Sequence, residues 1–213
     1  MYNFYTDMAS VASWTIPNPS TVCLWFIPRG YNASYNYLIG TADNWCARYN
    51  ISTTKIEARF NQNNSLASTS TLNVGARAHL VFTIQRSSVG KLYFNGAEEG
   101  DNSGSSTPTS PATLAIGGRG GLSSDYANGD IEDVRIYNRL LSPAEIKNIY
   151  LSGGRDVITS GLINQWARTS LGNGTEISTD SIYDETTSRQ HLTKAGAGNI
   201  YYRGGFLNPR RRV

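Results

Sequence analysis

The sequence predicts an all-β sandwich, and three observations point to it. Charged residues make up only 16% of the 213 residues, while hydrophobic residues make up 39% and glycines number 21. Short apolar runs recur along the chain, and turn-forming residues separate them. This profile is typical of short strands joined by many turns. The length suits one sandwich domain.

Five runs read as strands, at 22–27, 79–84, 91–94, 114–116 and 131–137. The run 22–27 is apolar at every position, which predicts a central strand buried on both faces. In the other runs, alternate residues share a face. This alternation predicts one core layer containing Leu80, Phe82, Leu92, Phe94, Val134 and Ile136.

A hairpin is predicted from residue 91 to about residue 100. Asn95-Gly96 follows the run 91–94 directly. This dipeptide supplies the two positive-φ positions of a type I′ turn. The glycine-rich and serine-rich stretches at 100–110 and 117–130 are predicted to be loops.

One helix of about two turns is predicted after residue 142. Ser142 is the expected N-cap, Pro143 the first helical residue and Glu145 the partner in a capping box. Gly153-Gly154 is expected to end the helix. A hydrophobic staple and a short apolar stripe complete the pattern, from Leu141, Ile146, Ile149 and Tyr150.

The stretch 126–150 carries a longer signature, Y-A-N-G-D-I-E-D-V-R-I-Y-N-R-L-L-S-P-A-E-I-K-N-I-Y. It follows T-L-A-I-G-G-R-G-G at 113–121 and the hairpin L-Y-F-N-G at 92–96. Together with 78–82 and 4–28, these motifs resemble the laminin G-like, concanavalin A-type jelly-roll family over about residues 1–150. The resemblance implies a concanavalin A-like jelly roll of two antiparallel sheets with one short helix.

The order of the family's motifs is altered here. The opening piece of the family is missing at the front, and a similar piece occurs at 161–166 and 183–188. We expect residues 1–156 to form the main jelly roll, 157–200 to complete the same sandwich as a permuted opening strand, and 201–213 to form a basic tail. Two alternatives remain: a truncated second repeat, and strand exchange with a neighbouring subunit.

Compartment signals are few. Cys23 and Cys46 allow one disulfide at most, and Cys23 lies in an apolar run that favours a buried free thiol. No run approaches the ~20 apolar residues of a membrane span. Residues 1–4 do not open a secretory signal, so synthesis in a host cytoplasm without export is expected.

Catalytic patterns are weak. A glycan hydrolase of this shape needs two carboxylates on one strand face. Glu132 and Asp133 are adjacent, so strand alternation predicts opposite faces for them. His79 and His191 have no nearby Ser or Cys motif, and His79 is expected to be a simple strand-face residue. A protein that is not an enzyme is therefore predicted.

Aromatic residues gather among small polar ones at 31–49. Such a surface stacks on sugar rings or anchors a protein interface, although core and loop packing is the alternative. The predicted binding surface consists of Tyr31, Tyr35, Tyr37, Trp45, Tyr49 and, from the strand 22–27, Trp25.

The resemblance also implies a calcium ion at the rim of the sandwich. Asp125, Asn128 and Asp130 precede the last family strand, and Asp43 and Asn44 lie in another loop. Oxygen ligands suit calcium. These residue types are also ordinary turn formers, so turns without a metal are the alternative to a calcium site. No cofactor other than calcium is expected.

The end of the chain is basic. No acid follows Glu185, whereas Arg203, Arg210, Arg211 and Arg212 do. A basic tail binds nucleic acid, an acidic protein surface or an anionic membrane, or is simply a solvated terminus. The net charge of +3 is small, and nucleic acid is the less favoured partner.

Three functions compete on these grounds. The first is a virion surface component, such as a phage capsid-decoration, cement or fibre protein, bound to capsid or other virion proteins and forming a homo-oligomer. The second is a carbohydrate-binding adhesion module with a glycan ligand. The third and weakest is a hydrolase. The absence of an export signal and of paired catalytic carboxylates favours the first.

Overall fold

The computed structural model describes residues 2–4, 9–30, 34–41, 45–60, 65–105, 112–120, 125–156, 158–166, 181–182, 192–194 and 201–202. Within them the chain forms strands and one helix, α1 (Pro143–Leu151). The strands are β1 (Tyr2–Phe4), β2 (Ala9–Trp14), β3 (Ser20–Pro28), β4 (Tyr35–Gly40), β5 (Cys46–Asn50), β6 (Lys55–Arg59), β7 (Ser65–Ala67), β8 (Ala78–Ile84), β9 (Ser88–Phe94), β10 (Ala97–Ser105), β11 (Ala112–Ile116), β12 (Gly129–Tyr137), β13 (Leu162–Trp166), β14 (Ser181–Ile182), β15 (Leu192–Lys194) and β16 (Tyr201–Tyr202).

The strands form two antiparallel sheets. Sheet A has the order β10-β9-β8-β3-β12-β1-β16, and β13 also pairs with β12. Sheet B has the order β14-β15-β2-β11-β4-β5-β6-β7. The predicted all-β sandwich is confirmed.

The core lies between the two sheets. Its apolar cluster includes Leu80, Phe82, Leu92, Phe94, Val134 and Ile136, so the predicted core layer is confirmed. Sheet B contributes residues such as Leu38, Ile39, Tyr49, Ile56 and Leu114. Strand β3 is buried along its whole length, as expected for a central strand.

The predicted hairpin is present between β9 and β10. Asn95 and Gly96 have φ of 51° and 79°, the left-handed values of a type I′ turn. Phe94 and Ala97 face each other across the turn. The prediction of a loop from residue 100 was wrong, because β10 continues to Ser105 with two register shifts along its pairing with β9. Glycine and serine in a long edge strand resemble a loop in sequence.

Helix α1 begins as predicted. The Ser142 side chain accepts from the Glu145 backbone N–H, and the Glu145 carboxylate accepts from the Ser142 backbone N–H at 2.8 Å. Arg139 binds the same carboxylate, and with the cap it lowers the pKa of Glu145 to about 2. Ile146 and Ile149 dock α1 on the outer face of sheet A, in a cluster with Cys23, Val81, Tyr93, Tyr137 and Leu141.

Strand β12 contains a β-bulge that the sequence pattern did not indicate. Glu132 faces Trp25 and Arg135 faces Cys23, so Asp133 and Val134 oppose a single residue of β3. Asp133 has a φ of 48°, a left-handed value that fits the extra residue. Ile131, Val134 and Ile136 all enter the core as a result.

Strands β1 and β13 lie along one edge of β12. β1 pairs with Gly129–Ile131, and β13 pairs with residues 134–137 of the same strand edge. Trp166 of β13 is fully buried in the core cluster. The predicted division at 157–200 and 201–213 stays a prediction, as does the permuted order.

Cys23 and Cys46 are free and buried, as predicted for Cys23. Burial raises the pKa of both thiols, that of Cys46 to about 12. Among the described residues, no helix is long and apolar enough to span a membrane.

Candidate functional site

The outer face of sheet B carries a cluster that strand alternation builds. On β5 and β6, Ala47, Tyr49, Ile56 and Ala58 enter the core. The residues between them therefore point outward. The register aligns Tyr37 of β4 with Arg48 and Arg48 with Glu57, so these three side chains form one row across three strands.

An ion pair fixes the centre of this row. The Arg48 Nε and Nη2 atoms donate to Glu57 Oε2 at 2.8 and 2.7 Å. Asn50 Nδ2 donates to the other carboxylate oxygen at 2.6 Å. The Arg48 and Glu57 side chains are only 12% and 14% exposed, so solvent screens the pair less than a surface pair.

Arg48 also holds two tyrosine rings. Its guanidinium carbon lies 3.7 Å from the centroid of the Tyr35 ring and 5.9 Å from that of Tyr37. Its Nη1 donates to the Tyr37 hydroxyl at 3.3 Å. Burial opposes the charge of Arg48, but the hydrogen bonds with Tyr37 and Glu57 outweigh it and raise the pKa of Arg48 above its ordinary value.

Residues between β11 and β12 border the cluster on the side of β4. The Tyr37 backbone N–H donates to the Asp125 carbonyl at 3.2 Å. Arg119 lies with its guanidinium carbon 5.7 Å from the Tyr37 centroid and pairs with Asp125 at 3.5 Å. We call Tyr35, Tyr37, Arg48, Glu57 and Arg119 the tyrosine–arginine site.

The tyrosine–arginine site combines apolar ring surface with fixed hydrogen-bonding groups. Tyr35 is half-buried, so part of its side chain meets solvent, whereas Tyr37 is 3% exposed and supports the cluster from below. A ring face beside oriented donors suits a flat ligand with hydroxyl groups, such as a sugar.

The structure separates the predicted binding aromatics into three places. Tyr35 and Tyr37 meet in the tyrosine–arginine site. Trp45 and Tyr49 lie in the core at 1% and 0% exposure, so they present no surface to a ligand. Their neighbourhood in sequence is misleading, because alternation turns Tyr49 inward and Arg48 outward. Tyr31 falls outside the described residues.

Trp25 lies on the other side of the molecule. It does face away from Val22, Leu24 and Phe26, but the outer face of sheet A is covered there. Arg77 lies 3.5 Å above its ring, and Tyr150 of α1 stacks on it with centroids 6.0 Å apart. Trp25 is 3% exposed, which leaves no room for ligand stacking.

His79 is buried beside Trp25. It has no exposed surface, its ring centroid lies 4.8 Å from that of Trp25, and Tyr150 stacks on it at 6.3 Å. Neither ring nitrogen has a hydrogen-bond partner. Burial, and the positive charges of Arg135 and Arg77, lower the pKa of His79 to about 3. His79 is a neutral packing residue on a strand face, as predicted, and His191 falls outside the described residues.

The prediction that Glu132 and Asp133 lie on opposite faces of the sheet was wrong. The bulge in β12 places both carboxylates on the outer face of sheet A, because the extra residue cancels one step of alternation. Arg77 binds Glu132 at 2.8 Å and Arg135 binds Asp133 at 2.6 Å. Each carboxylate is therefore held by its own arginine.

The two carboxylates among the predicted calcium ligands are paired with arginines. Asp130 is fully buried and binds Arg29 at 2.6 Å, while Asp125 binds Arg119. Asn128 is buried, and its carbonyl accepts from the Arg29 backbone N–H at 2.9 Å. No group of three or more His, Cys, Asp or Glu side chains could hold a metal in the described part of the chain. Calcium at Asp125, Asn128 and Asp130 stays a prediction.

Two sets of predicted residues lie outside the described residues: Asp43 and Asn44, and the basic tail with Arg203, Arg210, Arg211 and Arg212. Conversely, the sequence interpretation missed Arg48, Glu57 and Arg119. The available signal was the alternation of charged and apolar residues in 47–50 and 55–59 beside the tyrosines of β4.

Comparisons with known proteins place this geometry in a family. A family model described as the concanavalin A-like lectin/glucanases superfamily matches residues 3–147. No curated protein sequence matches the chain.

Several solved structures share the fold. A candidate carbohydrate-binding protein from Bacteroides ovatus has a TM-score of 0.73 at 17% identity, over 95% of this chain and 59% of its own. Domain 4 of an arabinanase from Geobacillus stearothermophilus, solved with arabinotriose, has a TM-score of 0.53 at 18% identity, over 66% and 70%. A Trypanosoma rangeli sialidase has a TM-score of 0.55 at 15% identity, over 71% and 29%.

These likenesses concern the fold, since all three identities are low. The chain spans about three fifths of the Bacteroides protein and under a third of the sialidase. The family match covers more than half of the chain and agrees with the two antiparallel sheets and short helix described above. The chain belongs to the concanavalin A-like lectin/glucanase superfamily.

Proposed function

We propose that this protein is a non-enzymatic carbohydrate-binding protein whose tyrosine–arginine site contacts the glycan. The observation that carries the proposal is the Tyr35 ring, fixed by Arg48 at 3.7 Å on the outer face of sheet B. A ring held in place loses little conformational freedom when a ligand stacks on it. The family and the descriptions of the Bacteroides and Geobacillus structures support the same function.

The chemistry of sheet A supports the absence of catalysis. A retaining or inverting glycosidase needs one carboxyl that can act as an acid and a second that acts as nucleophile or base. Glu132 and Asp133 share a face but are each bound by an arginine, and Lys91 binds Glu98 at 3.0 Å. These carboxylates are therefore engaged with basic side chains of sheet A, and no two of them form the acid and nucleophile pair that cleavage needs. The sialidase likeness makes this a point to test.

A role on a virion surface, with capsid or other virion proteins as partners, remains a prediction from the sequence. So do assembly as a homo-oligomer and the localisation. The glycan-binding function takes first place because the family and the Bacteroides likeness support it, and it is compatible with attachment of a virus particle to a host surface.

Binding to a glycan array tests the proposal. The native protein should bind one class of glycan, and Tyr35→Ala should weaken that binding about tenfold, since ring stacking contributes about 1–1.5 kcal/mol. Tyr150→Ala is the matched control, because Tyr150 is a half-buried tyrosine with its own ring contacts on sheet A. Its binding should be unchanged.

Two results would overturn the proposal. One is an array on which the native protein binds nothing. The other is equal binding by native protein and the Tyr35→Ala variant. Incubation with the bound glycan should release no new reducing ends, and release of such ends would instead establish a glycosidase.

A further inference from the structure

The carboxylate of Glu57 is held from two sides on the outer face of sheet B. Arg48 Nε and Nη2 both donate to its Oε2 atom, and Asn50 Nδ2 donates to its Oε1 atom at 2.6 Å. Arg48 and Asn50 are two residues apart on β5 and share a face, so both reach the same acid of β6. Glu57 therefore directs both oxygens at the protein, and little of its side chain meets solvent.

Glu57 orients the Arg48 guanidinium. Two N–H groups of this planar group converge on one carboxylate oxygen, and Nη1 donates to the Tyr37 hydroxyl at 3.3 Å. Bonds from all three nitrogens leave the plane of the guanidinium little freedom to turn. One face of that plane lies against Tyr35, whose ring centroid is 3.7 Å from the guanidinium carbon.

The half-buried ring of Tyr35 is the end of this chain of contacts. A tyrosine side chain has several staggered conformations, and a ligand that selects one of them loses affinity to the lost freedom. The attraction between the Arg48 guanidinium and the ring face favours one conformation before any ligand binds. Contacts thus run from Asn50 through Glu57 and Arg48 to the ring.

From this chain of contacts, and resting on the proposed function, we infer that Glu57 is a positioning residue for glycan binding. It orients Arg48, which holds the Tyr35 ring, and it does not itself bind the sugar. The opposite role for an outward carboxylate is a direct one, in which it accepts hydrogen bonds from sugar hydroxyls. The two roles predict different results when Glu57 and Arg48 are changed together, because the effects of residues that act through one another do not add.

A double-mutant cycle with the tightest-binding glycan from the array tests this inference. Affinity is measured by titration calorimetry for the native protein, Glu57→Gln, Arg48→Met and the double variant. Glutamine keeps the size of Glu57 and removes its charge. Glu98→Gln is the matched control, because Glu98 is a strand-borne acid of sheet A that accepts from Lys91 at 3.0 Å and from the Tyr93 hydroxyl at 3.2 Å.

Glu57→Gln and Arg48→Met should each weaken binding about threefold to fivefold, less than the loss of about tenfold expected for Tyr35→Ala. The double variant should bind as Arg48→Met does, because Glu57 acts only through Arg48. Glu98→Gln should bind like the native protein. In NMR spectra without glycan, the Tyr35 ring signals should move in Glu57→Gln and Arg48→Met and stay in place in Glu98→Gln.

Asn50→Asp tests the same carboxylate by a second route. It keeps the oxygen that accepts from the backbone N–H groups of Ser52 and Thr53, and it replaces the N–H donor to Glu57 with a like charge. Binding should again weaken, by about threefold. Thermal unfolding of each variant separates a loss of affinity from a loss of the fold.

Two results overturn the inference and leave the proposed function standing, provided that Tyr35→Ala still loses binding. One is unchanged binding in Glu57→Gln. The other is a double variant that is weaker than Arg48→Met by the full factor measured for Glu57→Gln, which would show direct contact between Glu57 and the glycan. Absence of binding by the native protein to every glycan overturns both.

Discussion

Strand alternation determines which side chains lie on the outer faces of sheet A and sheet B, but the two faces differ in what covers them. On sheet A, α1 and a set of arginine–carboxylate pairs cover the face, and residues such as Trp25 and His79 are fully enclosed. Among the described residues, no helix covers sheet B, and Tyr35, Arg48 and Arg59 lie on its outer face. Side chains of sheet A are therefore expected to matter for stability, and those of sheet B for binding.

The largest loss of stability is expected for a substitution on the inner face of sheet A, which forms the core. Phe82 is 2% exposed within the core cluster, so Phe82→Ala should lower the free energy of unfolding by roughly 3–5 kcal/mol. Val89→Ala is the control, because Val89 is 38% exposed and its truncation should change stability by less than about 0.5 kcal/mol. Denaturant unfolding measures both. A loss below about 1 kcal/mol for Phe82→Ala would contradict the assigned strand face.

The ion pairs of sheet A should come next. The Arg135 side chain is 4% exposed and binds Asp133, the buried side chain of Asp156 and the Gly154 carbonyl. Arg135→Met removes these bonds and takes the countercharge from two carboxylates, at a cost of about 3 kcal/mol or more in the free energy of unfolding.

The matched control is Lys91→Met. Lys91 and Glu98 are 38% and 37% exposed, and exposed pairs contribute about 1 kcal/mol or less. Equal losses in Arg135→Met and Lys91→Met would show that the buried pairs do not hold the segment after α1 against β12.

Low pH should lower the free energy of unfolding through protonation of His79. The pKa of His79 is about 3 in the folded protein, below its ordinary value of 6.5. Between these values the unfolded chain binds the proton and the folded chain does not, so stability is full above about pH 6.5 and falls as the pH drops toward 3. At pH 4 the loss should be about 3 kcal/mol.

His79→Phe isolates this effect. Other carboxyl groups also titrate in acid, so the measurement is the difference between native protein and variant in the pH dependence of unfolding. The variant should lose less stability than the native protein between pH 7 and pH 4. Identical pH profiles would mean that His79 is hydrated or partnered in solution.

Apart from the controls, the smallest effect on stability is expected on sheet B. Arg48→Met breaks the pair with Glu57, but Glu57 keeps its bond from Asn50 and some contact with solvent. The free energy of unfolding should fall by about 1.5–2 kcal/mol, as for a lost hydrogen bond to a charged group. A loss as large as that of Arg135→Met would make Arg48 a structural residue and remove the contrast between the sheets.

Local sequence patterns were sufficient for much of the fold. Asn95-Gly96 identified the hairpin, and Ser142 with Glu145 identified the start of α1, because turns and caps depend on neighbouring residues. The bulge at Asp133 could not be predicted, since it depends on the pairing of β12 with β3. That bulge moved Asp133 to the face of Glu132.

The candidate site was only half visible in the sequence. The cluster of aromatic residues at 31–49 drew attention to β4, but the outward row includes Glu57 of β6, which is distant in the sequence. Trp45 and Tyr49 were included in the predicted surface because composition does not reveal on which face of a sheet a side chain lies. Residue-by-residue alternation in 47–50 would have separated Arg48 from Tyr49.

The central claim is that sheet B, and not sheet A, meets the glycan. Backbone amide chemical-shift mapping with the tightest-binding glycan from the array tests it most directly. We predict the largest shifts at Tyr35, Tyr37, Arg48 and residues 55–59, with little change at Tyr93, Glu98 and α1. Largest shifts on the face that α1 covers would contradict the account.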